Sequence, residues 1–265
     1  MSSETEGQQR GSRVSSVTTG DRRVMLLTRD GVRIEARYEP CTTGPADAAI
    51  VLAHGFTGAV DKPAVRRAAG VFAQHAAVIT FSFRGHGRSG GRSTVGDREV
   101  LDLAAAVDWA RTCGHHRVVT VGFSMGGSVV LRHAALSEAR VDAVASVSAP
   151  ARWYYRGTAP MRRLHWVVTR PLGRLVGRVG FGTRIHTEDW DPVPLSPVDA
   201  VPLITPTPLL IVHGDRDPYF PLDHPRMLAG AAEGVELWIE PRMGHAENAA
   251  GAELLGRVAE WLLRE

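Results

Sequence analysis

Residues 117–137 read RVVTVGFSMGGSVVLRHAALS. A short apolar run, Val118 to Val121, enters Gly122-Phe123-Ser124-Met125-Gly126, and a segment of helical character leaves it at once. Strand, sharp turn and helix are the setting in which a G-x-S-x-G pattern presents a nucleophilic serine. The two glycines are required sterically, because a side chain at 122 or 126 would crowd the strained turn against neighbouring backbone. The turn lifts the Ser124 hydroxyl off the sheet edge, and the helix N-terminus behind it favours negative charge. Ser124 is the candidate nucleophile.

The pattern occurs a second time, at Gly87-Arg88-Ser89-Gly90-Gly91. There the serine stands in a loop and no helix begins beside it, so Ser89 reads as a residue packing beneath the site. The weight of the motif lies in its flanks.

A serine hydroxyl is a poor nucleophile at neutral pH and needs a base within hydrogen-bond reach, itself oriented by a carboxylate. Of eleven histidines, His245 lies directly after the last expected strand and before the last helix. That is the carboxyl end of the sheet, where open α/β sheets build their sites. His224 stands too close in sequence to the acid candidates to be the base, and His115-His116 reads as an exposed turn. His213-Gly214-Asp215-Arg216-Asp217-Pro218 offers two carboxylates. Asp217 is preferred, since it lies further from the strand and Pro218 fixes the turn behind it. Asp215 is expected to brace the turn or pair with an arginine. The chain order Ser124, Asp217, His245 is the one this arrangement of strands requires. An oxyanion formed at Ser124 needs preorganised donors. Met125 N–H is one, and Phe56 N–H is the natural second, because Gly55 and Gly58 let backbone approach closely. His54 is expected to brace that loop through its ring nitrogens.

The rest of the chain alternates. Residues 22–28 and 32–38 flank Asp30-Gly31, a two-residue hairpin signal. Ala48–Ala53 is a continuous apolar run suited to a buried parallel strand. A helix is predicted over 62–75, with Pro63 in its first turn. Ala77–Phe81 is a strand, 98–112 has helical apolar spacing, and Val141–Val147, Pro208–His213 and Val235–Glu240 are further strands. An amphipathic helix over 247–264 closes the chain. Alternating strands and helices imply an α/β fold, a mostly parallel sheet with helices on both faces.

At 265 residues, with 44% hydrophobic and 22% charged residues, the chain is of ordinary globular composition. A net charge of +3 is too small to argue for nucleic acid. Cys41 and Cys113 are too few for a disulfide framework or a zinc site. Residues 1–20 are polar and lack the apolar region of a signal peptide, so they read as a disordered tail on a cytoplasmic, soluble protein. Residues 21–150 and 198–265 form the two parts of the core, and 151–197 interrupts the alternation as an insertion.

Five blocks now stand in order. They are His54-Gly55-Phe56, Arg84-Gly85-His86-Gly87-Arg88-Ser89, Gly122-Phe123-Ser124-Met125-Gly126, His213-Gly214-Asp215-Arg216-Asp217 and Gly244-His245. Over about residues 22–264 the chain resembles the α/β-hydrolase superfamily. The resemblance implies the α/β-hydrolase fold, an eight-stranded sheet with its second strand antiparallel. It also implies Ser124, Asp217 and His245 in the triad positions. Ser82, where many relatives carry aspartate, and Phe123, where histidine is common, depart from the family pattern without touching the triad.

Residues 152–187 hold eight arginines and no acidic residue. Met161, Leu164, Val168, Leu172, Leu175 and Val179 form a helical stripe that Pro171 interrupts or restarts. In relatives an insertion at this point caps the serine, so a short helical cap is expected, its apolar face over the site. Trp153, Tyr154 and Trp166 are the candidate substrate-binding residues. The arginines could select an anionic substrate group or rest the cap on an anionic membrane. A solvated face carries more weight than either. The function these residues point to is a serine hydrolase that cleaves a carboxylic ester or thioester through an acyl-serine. It needs no cofactor and no metal, and its partner is a small-molecule substrate. Rival readings use the same triad on amide, peptide or carbon–carbon bonds or for perhydrolysis, or keep the pocket as a ligand receptor.

Overall fold

Ala48–Ala53 (β3), Ala77–Phe81 (β4), Arg117–Phe123 (β5), Val144–Val147 (β6) and Leu209–Gly214 (β7) are almost wholly apolar, and each is buried along nearly its entire length. Strands of this kind need cover on both faces. In the computed structural model, which describes residues 20–44 and 46–264, they form the centre of an eight-stranded sheet. Arg22–Leu27 (β1), Arg33–Glu39 (β2) and Glu236–Glu240 (β8) complete it in the order β1-β2-β4-β3-β5-β6-β7-β8. β2 runs antiparallel to both β1 and β4, and every other pairing is parallel. The expected tail, apart from Gly20, lies outside the described residues.

Side chains alternate across a strand, so β3 contributes to two separate core layers. Val51 joins one layer with Phe81, Leu103 and Val130, beneath Glu99–Thr112 (α2) and Met125–Leu136 (α3). Ile50 and Leu52 join the opposite layer with Phe72, Leu255 and Trp261. Pro63–Phe72 (α1) and the last long helix cover that face. The sheet is sealed on both sides, and its carboxyl edge is left for loops.

Three expectations are corrected. The hairpin turn is a five-residue loop, since Leu27 pairs with Arg33 as the last rung. Within it Gly31 N–H donates to Thr28 O at 2.9 Å and closes a tight turn, and the Asp30 carboxylate in that turn accepts Thr28 Oγ1 at 2.6 Å and the buried Arg84 guanidinium at 2.7 Å. His115 is buried, stacked 5.7 Å from the Tyr38 ring, and only His116 is exposed. The closing helix is two pieces, because the chain extends at Ala250-Gly251.

The insertion contains helices Ala159–Thr169 (α4) and Pro171–Gly180 (α5). The non-helical Arg170 lies between them, and proline restarts the second helix at its first position. Thr158 caps α4 through Met161 N–H, and its own hydroxyl donates to Tyr219 O at 2.9 Å. At the far end Ser93 N–H donates to Arg184 O at 2.7 Å and His186 N–H to Ser93 O at 2.8 Å. Both ends of the helix pair are thereby tied to core loops. Pro197–Ala200 (α6), a 3₁₀ turn over Val201–Leu203, Asp223–Ala229 (α7), Ala246–Ala249 (α8) and Ala252–Leu263 (α9) complete the helices. Among the described residues no helix is long and apolar enough to cross a membrane.

Candidate active site

Ser124 follows β5 at φ 52° and ψ −113°, a strained conformation for a non-glycine residue. The glycines on either side make room for it. A Cβ at Gly122 would lie 2.1 Å from Gly126 O, and one at Gly126 would lie 2.2 Å from Ala53 O. The turn is held by Ser124 N–H donating to Val147 O at 2.8 Å. Ser148 and Ala246, at φ 53° and 54°, are strained in the same way. They are joined by a 3.1 Å bond from Ala246 N–H to Ser148 Oγ. Three strained residues from three separate segments thus meet at the carboxyl edge of the sheet.

His245 follows β8 and opens α8. Its Nε2 lies 2.9 Å from Ser124 Oγ, and its Nδ1 lies 2.7 Å from Asp217 Oδ2. The Asp217 side chain is fully buried, and its other oxygen accepts Tyr219 N–H at 2.8 Å and Phe220 N–H at 3.2 Å. Burial works against the charged carboxylate, but the bonds from His245 and Tyr219 outweigh it and hold the pKa below the usual carboxylate value. With Nδ1–H given to a carboxylate, Nε2 is free to accept from the serine. Asp215 lies elsewhere: its Oδ1 accepts Arg242 N–H at 2.6 Å, which braces the turn after β8.

The loop after β3 faces this group. Phe56 and Met125 both line the cleft beside Ser124. Among the described residues neither backbone N–H donates to a protein acceptor. His54 Nε2 accepts Phe83 N–H at 3.1 Å, so Nδ1 carries the proton and donates to Gly55 O at 2.6 Å. Burial, then the neighbouring His86, lowers the His54 pKa to about 3, and the ring stays neutral. His86 Nε2 reaches Phe56 O at 2.5 Å. The two imidazoles brace the loop from behind. Ser89 stands apart from that loop, its Oγ accepting Glu35 N–H at 2.9 Å and donating to Ser82 O at 2.6 Å. His224 is buried with Nδ1 accepting Ala151 N–H at 2.9 Å.

Above Ser124 lies a cleft of about 310 Å³. Met161, Leu164 and Val168 of α4 line it with Trp153, Tyr154 and Trp190. Trp153 and Trp190 pack with ring centroids 5.1 Å apart. Trp166 is not in this wall and is 44% exposed. Residues 161, 164 and 168 share one helical face, and 166, two positions from each of the latter pair, points to the opposite one. The apolar stripe likewise stops covering the cleft at Pro171, and Leu172, Leu175 and Val179 are exposed. Of the insertion's eight arginines only Arg152 and Arg174 line the cleft. They share it with Arg98 and with Asp97, Glu188, Asp189 and Asp191, so the cavity has no cationic excess. Residues 188–191, Ser148, Tyr219 and Glu247 were not singled out in the sequence, since each acts through contacts distant in the chain.

The model of the α/β-hydrolase fold matches residues 48–172. The strand order and the strained serine after β5 agree with it. The chain has the α/β-hydrolase fold. The chain is 27% identical to a monoacylglycerol lipase of Mycolicibacterium smegmatis, a match that covers 81% of this chain and 86% of the relative. In structure it is similar to the Pyrococcus furiosus esterase Pf2001, with a TM-score of 0.72, 24% identity and coverage of 95% and 97%. It is also similar to the Butyrivibrio proteoclasticus protein Est1E, solved with ferulic acid, at a TM-score of 0.62, 20% identity and coverage of 91% and 98%.

Proposed function

We propose that this α/β hydrolase cleaves small-molecule carboxylic esters through an acyl-serine formed on Ser124. The observation that carries the reading is the unbroken relay from Asp217 through His245 to Ser124, at 2.7 and 2.9 Å. Ser124 Oγ attacks the ester carbonyl as His245 Nε2 takes its proton. The tetrahedral oxyanion is received by the N–H groups of Phe56 and Met125. Collapse expels the alcohol, which leaves with the proton held on Nε2. His245 Nε2 then takes a proton from a water whose oxygen attacks the acyl carbonyl, and collapse breaks the bond to Ser124 Oγ, which recovers its proton from Nε2 as the carboxylic acid leaves. Asp217 orients the imidazole and stabilises its cation throughout. The similarity to an esterase and to a monoacylglycerol lipase supports an ester over a thioester or amide. The mixed charge of the cleft gives no support to an anionic substrate.

The test is fluorophosphonate labelling of the full chain and of Ser124→Ala, beside hydrolysis of p-nitrophenyl esters of increasing acyl length. Labelling and turnover are expected in the parent chain and absent from the variant. Labelling that survives loss of Ser124 would sink the assignment.

A further inference from the structure

Glu247 lies two residues beyond His245 and is 4% exposed. Its Oε1 accepts Gly55 N–H at 2.9 Å, across 192 positions of sequence. Gly55 immediately precedes Phe56. An ideal Cβ at Gly55 would lie 3.0 Å and 3.2 Å from the two carboxylate oxygens, so glycine lets the carboxylate sit against the backbone. The segment carrying Glu247 is itself pinned. Arg67 donates to the main-chain oxygens of Glu247 and Ala250, and Ala246 N–H is held by Ser148.

A buried carboxylate is expensive unless something compensates it. The Gly55 N–H is the principal partner of the Glu247 carboxylate, and the residue's own N–H and the charges of His245 and Arg67 give lesser support. Burial raises its pKa, and the bond from Gly55 opposes that rise. A merely structural position here would be filled at lower cost by an apolar side chain. What the carboxylate does instead is join the segment that carries His245 to the loop that carries Phe56.

We propose that Glu247 is a positioning residue that sets the oxyanion loop in register with His245 by holding the Gly55 N–H. The proposal rests on the ester-hydrolase reading for its kinetic consequence. With the Gly55 peptide held, the following peptide turns the Phe56 N–H into the cleft, while His86 fixes the Phe56 carbonyl on the other side. One short segment therefore delivers both the base and the orientation of an oxyanion donor.

The experiment compares Glu247→Ala, Glu247→Met and Glu247→Gln in the full chain. Glu247→Met fills the volume without an acceptor, and Glu247→Gln keeps a carbonyl oxygen for Gly55. Turnover is expressed per fluorophosphonate-titratable serine, so that a loss of folded protein does not count as a loss of rate. Misplacing one oxyanion donor costs on the order of 100-fold. Glu247→Ala and Glu247→Met are therefore expected to lose kcat by roughly 30-fold or more with KM changed by less than about threefold. Glu247→Gln is expected to recover most of that loss. Hydrogen exchange of residues 54–58 gives a reading independent of catalysis. It is expected to be faster in the Ala and Met variants and to return to the parent rate in Gln. Equal losses in all three variants, or parent-like kcat and exchange in Glu247→Met, would overturn the proposal. A parent chain that neither labels nor turns over ester would overturn the hydrolase reading instead, and the exchange data would still decide the loop's dependence on Glu247.

Discussion

Tyr219 lies against the imidazole of His245, with ring centroids 4.3 Å apart and planes inclined by 29°. Its N–H also donates to Asp217, so one residue restrains the proposed base and the carboxylate behind it. Aromatic contacts of this kind are worth about 0.5–1.5 kcal/mol beyond burial. Tyr219→Ala is expected to lower kcat by about threefold to tenfold with KM little changed. Tyr219→Phe keeps the stack and should recover most of the rate. Steady-state kinetics on p-nitrophenyl butyrate decide, and equal losses in both variants would place the effect in the hydroxyl rather than the ring.

The two aspartates after β7 should separate cleanly. Asp217→Asn removes the carboxylate from His245 Nδ1 and is expected to cost about 10³–10⁴ in kcat. Asp215→Asn disturbs only the acceptor for Arg242 N–H, at a cost of about 1 kcal/mol in stability and little in rate. Kinetics and thermal melts on both variants test the ranking, and its reversal would move the triad acid to Asp215.

Gly126→Ala would place a Cβ 2.2 Å from Ala53 O and 2.6 Å from His54 O, both main-chain atoms that cannot rotate away. A loss of about 3 kcal/mol is expected from such overpacking. Gly70→Ala on α1 meets nothing within 4 Å, and helix propensity favours it by up to about 1 kcal/mol. Opposite shifts in Tm are the expected outcome. Two shifts of the same sign would contradict the packing account.

His133 on α3 is buried with neither ring nitrogen partnered among the described residues. Burial lowers its pKa from 6.5 to about 4. The unfolded chain takes up a proton near pH 6.5 that the native protein refuses until about 4, so stability falls as pH drops through that window. At pH 5 the loss is about 2 kcal/mol. His133→Leu should flatten the fall in Tm between pH 7 and pH 5 by a corresponding amount. An unchanged slope in circular-dichroism melts would refute it.

In the cap, Trp153 lines the cleft and Trp166 does not. Losing an aromatic wall costs about 1–2 kcal/mol of binding. Trp153→Ala is expected to raise KM by roughly tenfold on long-chain p-nitrophenyl esters, and Trp166→Ala to leave it within about twofold. Comparable effects at the two positions would show that the cap closes further over substrate.

The amino-acid sequence by itself determined the sheet, the elbow and which residues meet at its edge. Those signals are local: apolar runs long enough for buried strands, glycines where a Cβ would strike backbone, and a serine between strand and helix. Parallel topology then carries the residues after β5, β7 and β8 to one edge, which is how Ser124, Asp217 and His245 come within 3 Å contacts from positions far apart in the chain. Tertiary structure alone decided the rest. From its place just before a strand His115 reads as part of an exposed turn, yet Tyr38 covers it from β2. The insertion's arginines left a solvated face, an anion-binding pocket and a membrane contact open, and packing admits only two of them to the cleft, beside Glu188, Asp189 and Asp191 of the same insertion and Asp97 of a core loop. Glu247 carries no motif, because its meaning depends on the amide of a glycine 192 positions earlier. Backbone geometry is written in neighbouring residues, and burial and long-range pairing exist only once the chain has folded.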